Sequence, residues 1–119
     1  MKELQQMVGD WLADRPTMYE NNQDPQRLIE LLEGEVIEVA EVMDQPEKLG
    51  RELADVAWFL MTVANLKGID LEAEVREKSA VNSLRYSANL FQEGDYDEAR
   101  KQVKANEKPI IDEFYNLDI

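Results

Sequence analysis

Residues 34–55 read GEVIEVAEVMDQPEKLGRELAD, and the parsing of this stretch decides the fold. At roughly 100° per residue, Leu28, Leu31, Leu32, Val36, Val39, Val42 and Met43 share one broad arc of a helix. Leu49, Leu53, Val56, Phe59, Leu60, Val63 and Leu66 share an arc of a second. Between them, DQPE offers Asp44 as a cap, Glu47 three residues on, and Pro46 in the first turn, where its missing N–H is harmless. So short a turn sends the second helix back antiparallel, apolar face to apolar face.

Acids interrupt both faces. Glu35 falls in the middle of the first arc and Glu38 at its edge, whereas Glu30, Glu33 and Glu41 point away as solvated charges do. On the second helix Glu52 lies inside the arc and Asp55 at its edge. Residues three apart are neighbours on a helix surface, so the antiparallel hairpin predicts that these four carboxylates converge. Like charges in a partly apolar setting repel one another and resist burial. A divalent cation relieves both problems, and an all-oxygen donor set suits Mg²⁺ first, with Mn²⁺ or Ca²⁺ also compatible. The competing reading pairs the acids with Lys or Arg at a helix interface or leaves them on exposed faces; two matched pairs, each with one member inside an apolar arc, make it the less favoured of the two.

Outward from the hairpin, apolar spacing stays helical and nothing alternates with period two. The spacing predicts a first helix over about 3–13, a turn-rich loop TMYENNQD, and a second helix over about 25–43 opened by Asp24 as cap with Pro25 at its first position. A third helix over about 47–66 ends at Lys67-Gly68, and Asp70 caps a fourth reaching about Leu90. After a break at Gly94-Asp95 come short amphipathic pieces, about 96–105 and 110–115, divided by Pro109. The expectation is one all-α domain over 1–119, an antiparallel bundle of about four main helices plus short C-terminal helices.

Composition narrows the chemistry. Hydrophobic residues at 44% and charged residues at 33% describe a chain that folds. A net charge of -13 gives a field that repels nucleic acid and anionic membranes. With no cysteine and no histidine, disulfides, thiolate zinc sites, Ser-His-Asp or Cys-His nucleophiles and imidazole metal ligands are excluded. No leader-like or membrane-spanning run occurs, so a cytoplasmic location is expected.

A second constellation lies in KSAVNSLRY, residues 78–86. Lys78, Asn82 and Arg85 continue the stripe begun by Leu71 and Val75, while Ala80, Leu84 and Phe91 form another apolar face. Alone, this row reads as salt bridges to the surplus of glutamates. Beside a divalent-cation site it suits a polyphosphate: Lys as a point charge, Arg as a planar fork, Asn as donor and acceptor.

These motifs resemble those of the MazG-like nucleoside triphosphate pyrophosphohydrolases of the all-α NTP pyrophosphatase superfamily. GEVIE supplies Glu35 and Glu38, RELAD supplies Glu52 and Asp55, and GIDL followed by KSAVNSLRY is similar to the K-x-x-x-N-x-x-R-Y segment of single-domain members. Gly34 stands where the longer pattern has its first glutamate, as in the branch that includes dCTP pyrophosphatases. The resemblance spans about Pro25 to Tyr86. It implies Mg²⁺ held by Glu35, Glu38, Glu52 and Asp55, phosphate contacts from Lys78, Asn82 and Arg85 with Tyr86 alongside, and a homodimer or homotetramer. Tyr19 lies near a base-contacting aromatic of that branch, and Trp11 is the other base-pocket candidate, against plain core packing. The implied reaction is hydrolysis of a nucleoside or deoxynucleoside triphosphate to the monophosphate and pyrophosphate. A dUTPase-like or phosphoribosyl-ATP pyrophosphohydrolase branch, or a non-catalytic helical module binding a nucleotide or protein, remain the alternatives.

Overall fold

The computed structural model describes residues 1–116. Six α-helices follow in order: α1 (Lys2–Ala13), α2 (Pro16–Asn21), α3 (Pro25–Glu41), α4 (Pro46–Leu66), α5 (Leu71–Arg85) and α6 (Tyr96–Tyr115), with a 3₁₀ turn at Ala88–Phe91 between the last two. The described residues contain no strand, so the all-α expectation holds. No helix among them is long and apolar enough to cross a membrane. The chain divides into two compact units, Met1–Glu72 and the remainder from Ala73.

In the first unit α3 and α4 form the expected antiparallel hairpin, with α4 also packed on α1. The Asp24 side chain accepts from the Gln26 N–H at 3.0 Å, with Pro25 beginning α3. The cap of α4 is Gln45 rather than Asp44, and it makes no side-chain capping bond; Pro46, fixed at the first helical position, moves the cap to the residue before it. At the other end Gly68 takes φ +65°, letting the Ile69 N–H reach the Ala64 carbonyl at 2.9 Å and the Gly68 N–H reach that of Asn65 at 3.3 Å. This is a Schellman closure, in which the left-handed residue has no Cβ to clash.

Val8, Leu12 and Met61 make the core, with Trp11, Ala57, Trp58 and Leu71 packed around them. Trp11 and Trp58 meet edge to face, 5.2 Å apart at 89°, a geometry contributing roughly 0.5–1.5 kcal/mol beyond its buried area. Gln5 is buried beside this core. Its side-chain N–H donates to the Ile69 carbonyl at 2.6 Å, its Oε1 accepts from the Leu71 N–H at 3.1 Å, and its own carbonyl accepts from Asn65 Nδ2 at 3.0 Å. One carboxamide thus fastens the α4–α5 turn to α1.

The arcs are narrower than the wheel predicts. Leu28 is fully buried and Leu31, Leu32, Val39 and Val42 are half-buried, but Val36, Met43, Leu53 and Leu60 are exposed. Within this unit α3 packs chiefly on α4, and one neighbouring helix covers only part of so broad a stripe.

Four further expectations are corrected. The TMYENNQD loop contains most of α2, because Pro16, read as the end of α1, is also the pre-formed first residue of a new helix. The fourth helix stops at Arg85 rather than Leu90: Ser87 is extended (φ -54°, ψ 130°), and Phe91 packs 6.0 Å from Tyr86 and 6.1 Å from Tyr96. Its buried residue is Val81, whereas Ala80, Leu84 and Val75 are exposed. Finally, the two C-terminal pieces are one helix running through Pro109. Pro109 and Ala105, whose carbonyl loses its helical donor, both face solvent, where water satisfies that group, and Val103 and Asp112 are buried on either side. The cap of α6 is Asp95, which accepts from the N–H groups of Asp97 and Glu98 at 2.8 and 3.3 Å.

Candidate active site

The α3–α4 hairpin brings Glu35, Glu38, Glu52 and Asp55 together, one carboxylate oxygen from each lying within 4.8 Å of all the others. Glu35 and Glu38 stand one turn apart on α3, as do Glu52 and Asp55 on α4, and antiparallel pairing superposes the two turns. The burial follows the wheel: Glu35 and Glu52, inside their arcs, are half-buried, while Glu38 and Asp55, at the edges, are exposed. The cluster therefore has an inner pair and an outer pair.

Its electrostatics are unbalanced. Glu35 Oε2 and Glu52 Oε2 are each buried without a hydrogen-bond partner. Burial first, then the bond to Glu38 and the charges of Glu38, Asp55 and Glu52, push the Glu35 carboxyl up to about 7. Glu52 is raised as well, chiefly by its hydrogen bond with Glu38, then by burial and the neighbouring acids. Hard oxygen donors, orphaned lone pairs and mutual repulsion fit a hard divalent cation, and the chain has neither histidine nor cysteine to favour a softer one there.

Also in the first unit, Tyr19 lines a cavity of about 180 Å³ together with Gly9, Leu12, Gln23, Thr62 and Asn65. Trp11 is held elsewhere, packed on Trp58 on one side with the Arg15 guanidinium 3.8 Å over its ring. The polar side chains of this cavity escape a sequence reading, because Gln23 lies between α2 and α3, far in sequence from Thr62 and Asn65 on α4, and only the fold brings them together.

In the second unit Asn82, Arg85 and Tyr86 form one network, with Lys78 exposed one turn earlier on α5. Arg85 donates to Asn82 Oδ1 at 3.2 Å and to Tyr86 Oη at 3.4 Å. Its Nε and Nη2 donate to Glu107 Oε2 at 3.1 and 2.6 Å, which holds the Glu107 carboxyl below its usual range. Arg100 sits over the Tyr86 ring at 5.8 Å. Glu107, contributed by α6, has no signal near the KSAVNSLRY segment that would have pointed to it.

A family model described as phosphoribosyl-ATP pyrophosphohydrolase matches residues 1–82. That span takes in all four clustered carboxylates, Lys78 and Asn82, and stops short of Arg85 and Tyr86. No curated protein and no solved structure matches the chain.

Proposed function

Since the chain belongs to the phosphoribosyl-ATP pyrophosphohydrolase family, within the all-α NTP pyrophosphatase superfamily, we propose that it hydrolyses a nucleoside or deoxynucleoside triphosphate to the monophosphate and pyrophosphate with Mg²⁺ as cofactor. The observation that carries this reading is the convergence of Glu35, Glu38, Glu52 and Asp55 within 4.8 Å in a matched chain with no histidine or cysteine. Those four side chains hold the cation. When bound, it supplies charge neutralisation and polarisation of the triphosphate.

The protein's own groups do the rest. Water attacks the α-phosphorus, its proton passes to a carboxylate of the cluster, and the bond to the bridging oxygen breaks so that pyrophosphate leaves. The exposed pair, Glu38 and Asp55, meets the incoming phosphates, while the half-buried pair, Glu35 and Glu52, fixes the inner wall. We assign phosphate contacts to Lys78, Asn82, Arg85 and Tyr86, as the resemblance implies, two of them cationic side chains suited to an anion. Arg85 begins bonded to Glu107, so phosphate binding there shares or displaces that carboxylate. Tyr19 lines a base pocket, whereas Trp11, the other candidate, packs in the core.

Phosphoribosyl-ATP is a second substrate reading, favoured by the description of the matching family model. It carries the same triphosphate and requires the same bond cleavage. Incubation of the pure protein with Mg²⁺ and each common NTP, dNTP and phosphoribosyl-ATP, with products resolved, separates the readings. Monophosphate and pyrophosphate are expected from at least one. No cleavage of any of them, or an undiminished rate in Glu38→Gln, sinks the proposal.

A further inference from the structure

We infer that the cavity between α1, α2 and α4 is a nucleobase subsite that selects bases carrying an exocyclic amino group, as adenine and cytosine do, over their keto counterparts. This deepens the reading of the chain as a nucleotide hydrolase and rests on it. The cavity's position comes from α4. Thr62 follows Asp55 by seven residues, two helical turns, so both lie on one face of α4 roughly 10 Å apart along its axis. A nucleotide with its phosphates at the carboxylates and its base turned towards the C-terminal end of α4 spans that interval. At about 180 Å³ the space is smaller than the roughly 300–1,000 Å³ of sites that enclose whole ligands, which suits one end of a substrate.

The selectivity comes from hydrogen bonds already made. Thr62, 3% exposed, donates its hydroxyl proton to the Trp58 carbonyl at 2.9 Å, leaving only lone pairs for anything in the cavity. Asn65 commits one Nδ2 proton to the Gln5 carbonyl at 3.0 Å, and Gln23 one Nε2 proton to the Tyr19 carbonyl at 3.3 Å. At Thr62 the wall thus offers acceptors alone, whereas Asn22, Asn65 and Gln23 each carry an amide with both donors and an acceptor. An amino group supplies the donor that Thr62 lacks, whereas a keto oxygen set against Thr62 leaves two acceptors facing each other, unpaired and desolvated. Gly9 keeps the floor open, since a Cβ there comes within 3.3 Å of Asn65 Nδ2. Tyr19, half-exposed at the rim, offers a ring for stacking.

Titration of the intact protein with adenosine, inosine, cytidine and uridine monophosphates, followed by calorimetry or NMR shifts, tests this without turnover. Adenosine over inosine and cytidine over uridine monophosphate should each bind about fivefold tighter or more. In Thr62→Val, which keeps the branched shape, that ratio should fall towards one. Gly9→Ala should weaken adenosine and cytidine monophosphates alike while the helical melting profile survives. Equal binding of each amino and keto pair, no binding of any of the four, or a ratio indifferent to Thr62→Val overturns the inference. If the ratio is found but no triphosphate is ever cleaved, the base subsite stands and the hydrolase reading falls.

Discussion

At the scale of single residues, Glu35 sets the pH behaviour. Its folded-state carboxyl titrates near 7 against an ordinary 4.5, so the fold favours its protonated form. The corresponding stabilisation is fully present below about 4.5 and is lost as pH rises through 7. Protein stripped of divalent cations should therefore melt at progressively lower temperature between about pH 4.5 and 7.5. Added Mg²⁺ should restore the loss most at the upper end, because binding below 7 must first displace a proton. Melting curves with and without Mg²⁺ across that range check this; a metal effect that shrinks as pH rises contradicts it. Gln5 is the second informative residue. Replacing it with Leu leaves the Ile69 carbonyl and the Leu71 N–H without their partner, and denaturant unfolding should show a loss of about 1–3 kcal/mol, although no carboxylate is touched.

At the scale of elements, some helix ends were legible in the sequence and others were not. Asp24-Pro25 and Gly68 act where a local reading puts them, because caps depend on residues a few positions apart, and the break read at Gly94-Asp95 proves to hold the cap of α6. Gly68→Ala places a Cβ on a left-handed backbone and should cost about 1–2 kcal/mol, measurable by thermal or denaturant unfolding. Prolines misled in both directions. Pro16 begins a helix instead of only ending one, and Pro109 sits inside a helix instead of dividing it. Proline removes one hydrogen bond, and whether the chain continues past it depends on packing along the flanking turns. That packing comes from residues distant in sequence.

At the scale of the whole molecule, the notable feature is apolar surface left uncovered. Ile29 and Val36 stand seven residues apart along α3, with Met43 a further seven on, just beyond its end, and Leu53 and Leu60 are spaced by the same interval along α4; all five are exposed. On the helical wheel they lie on the side of the hairpin away from Glu38 and Asp55. A stripe of this kind supports the homodimer or homotetramer proposed for this chain. Val36→Glu combined with Leu53→Glu should shift the protein to monomer in sedimentation velocity, with the acid cluster still able to bind Mg²⁺. An unchanged sedimentation coefficient would place any subunit contact elsewhere.

By itself the sequence determined the helical class, the hairpin and the four acids, because periodicity, capping and charge placement are properties of short stretches. It also narrowed the chemistry available, since a chain without histidine or cysteine has no imidazole or thiolate to offer a metal. Tertiary structure decided what those acids experience: which oxygens are buried without partners and how far Glu35 is raised depend on two helices facing each other. It likewise decided that Arg85 is bonded to Glu107 and that Thr62 turns its proton away from the Tyr19 cavity. Hydrogen-bond direction and burial arise only when distant segments meet, so no local pattern could have carried them.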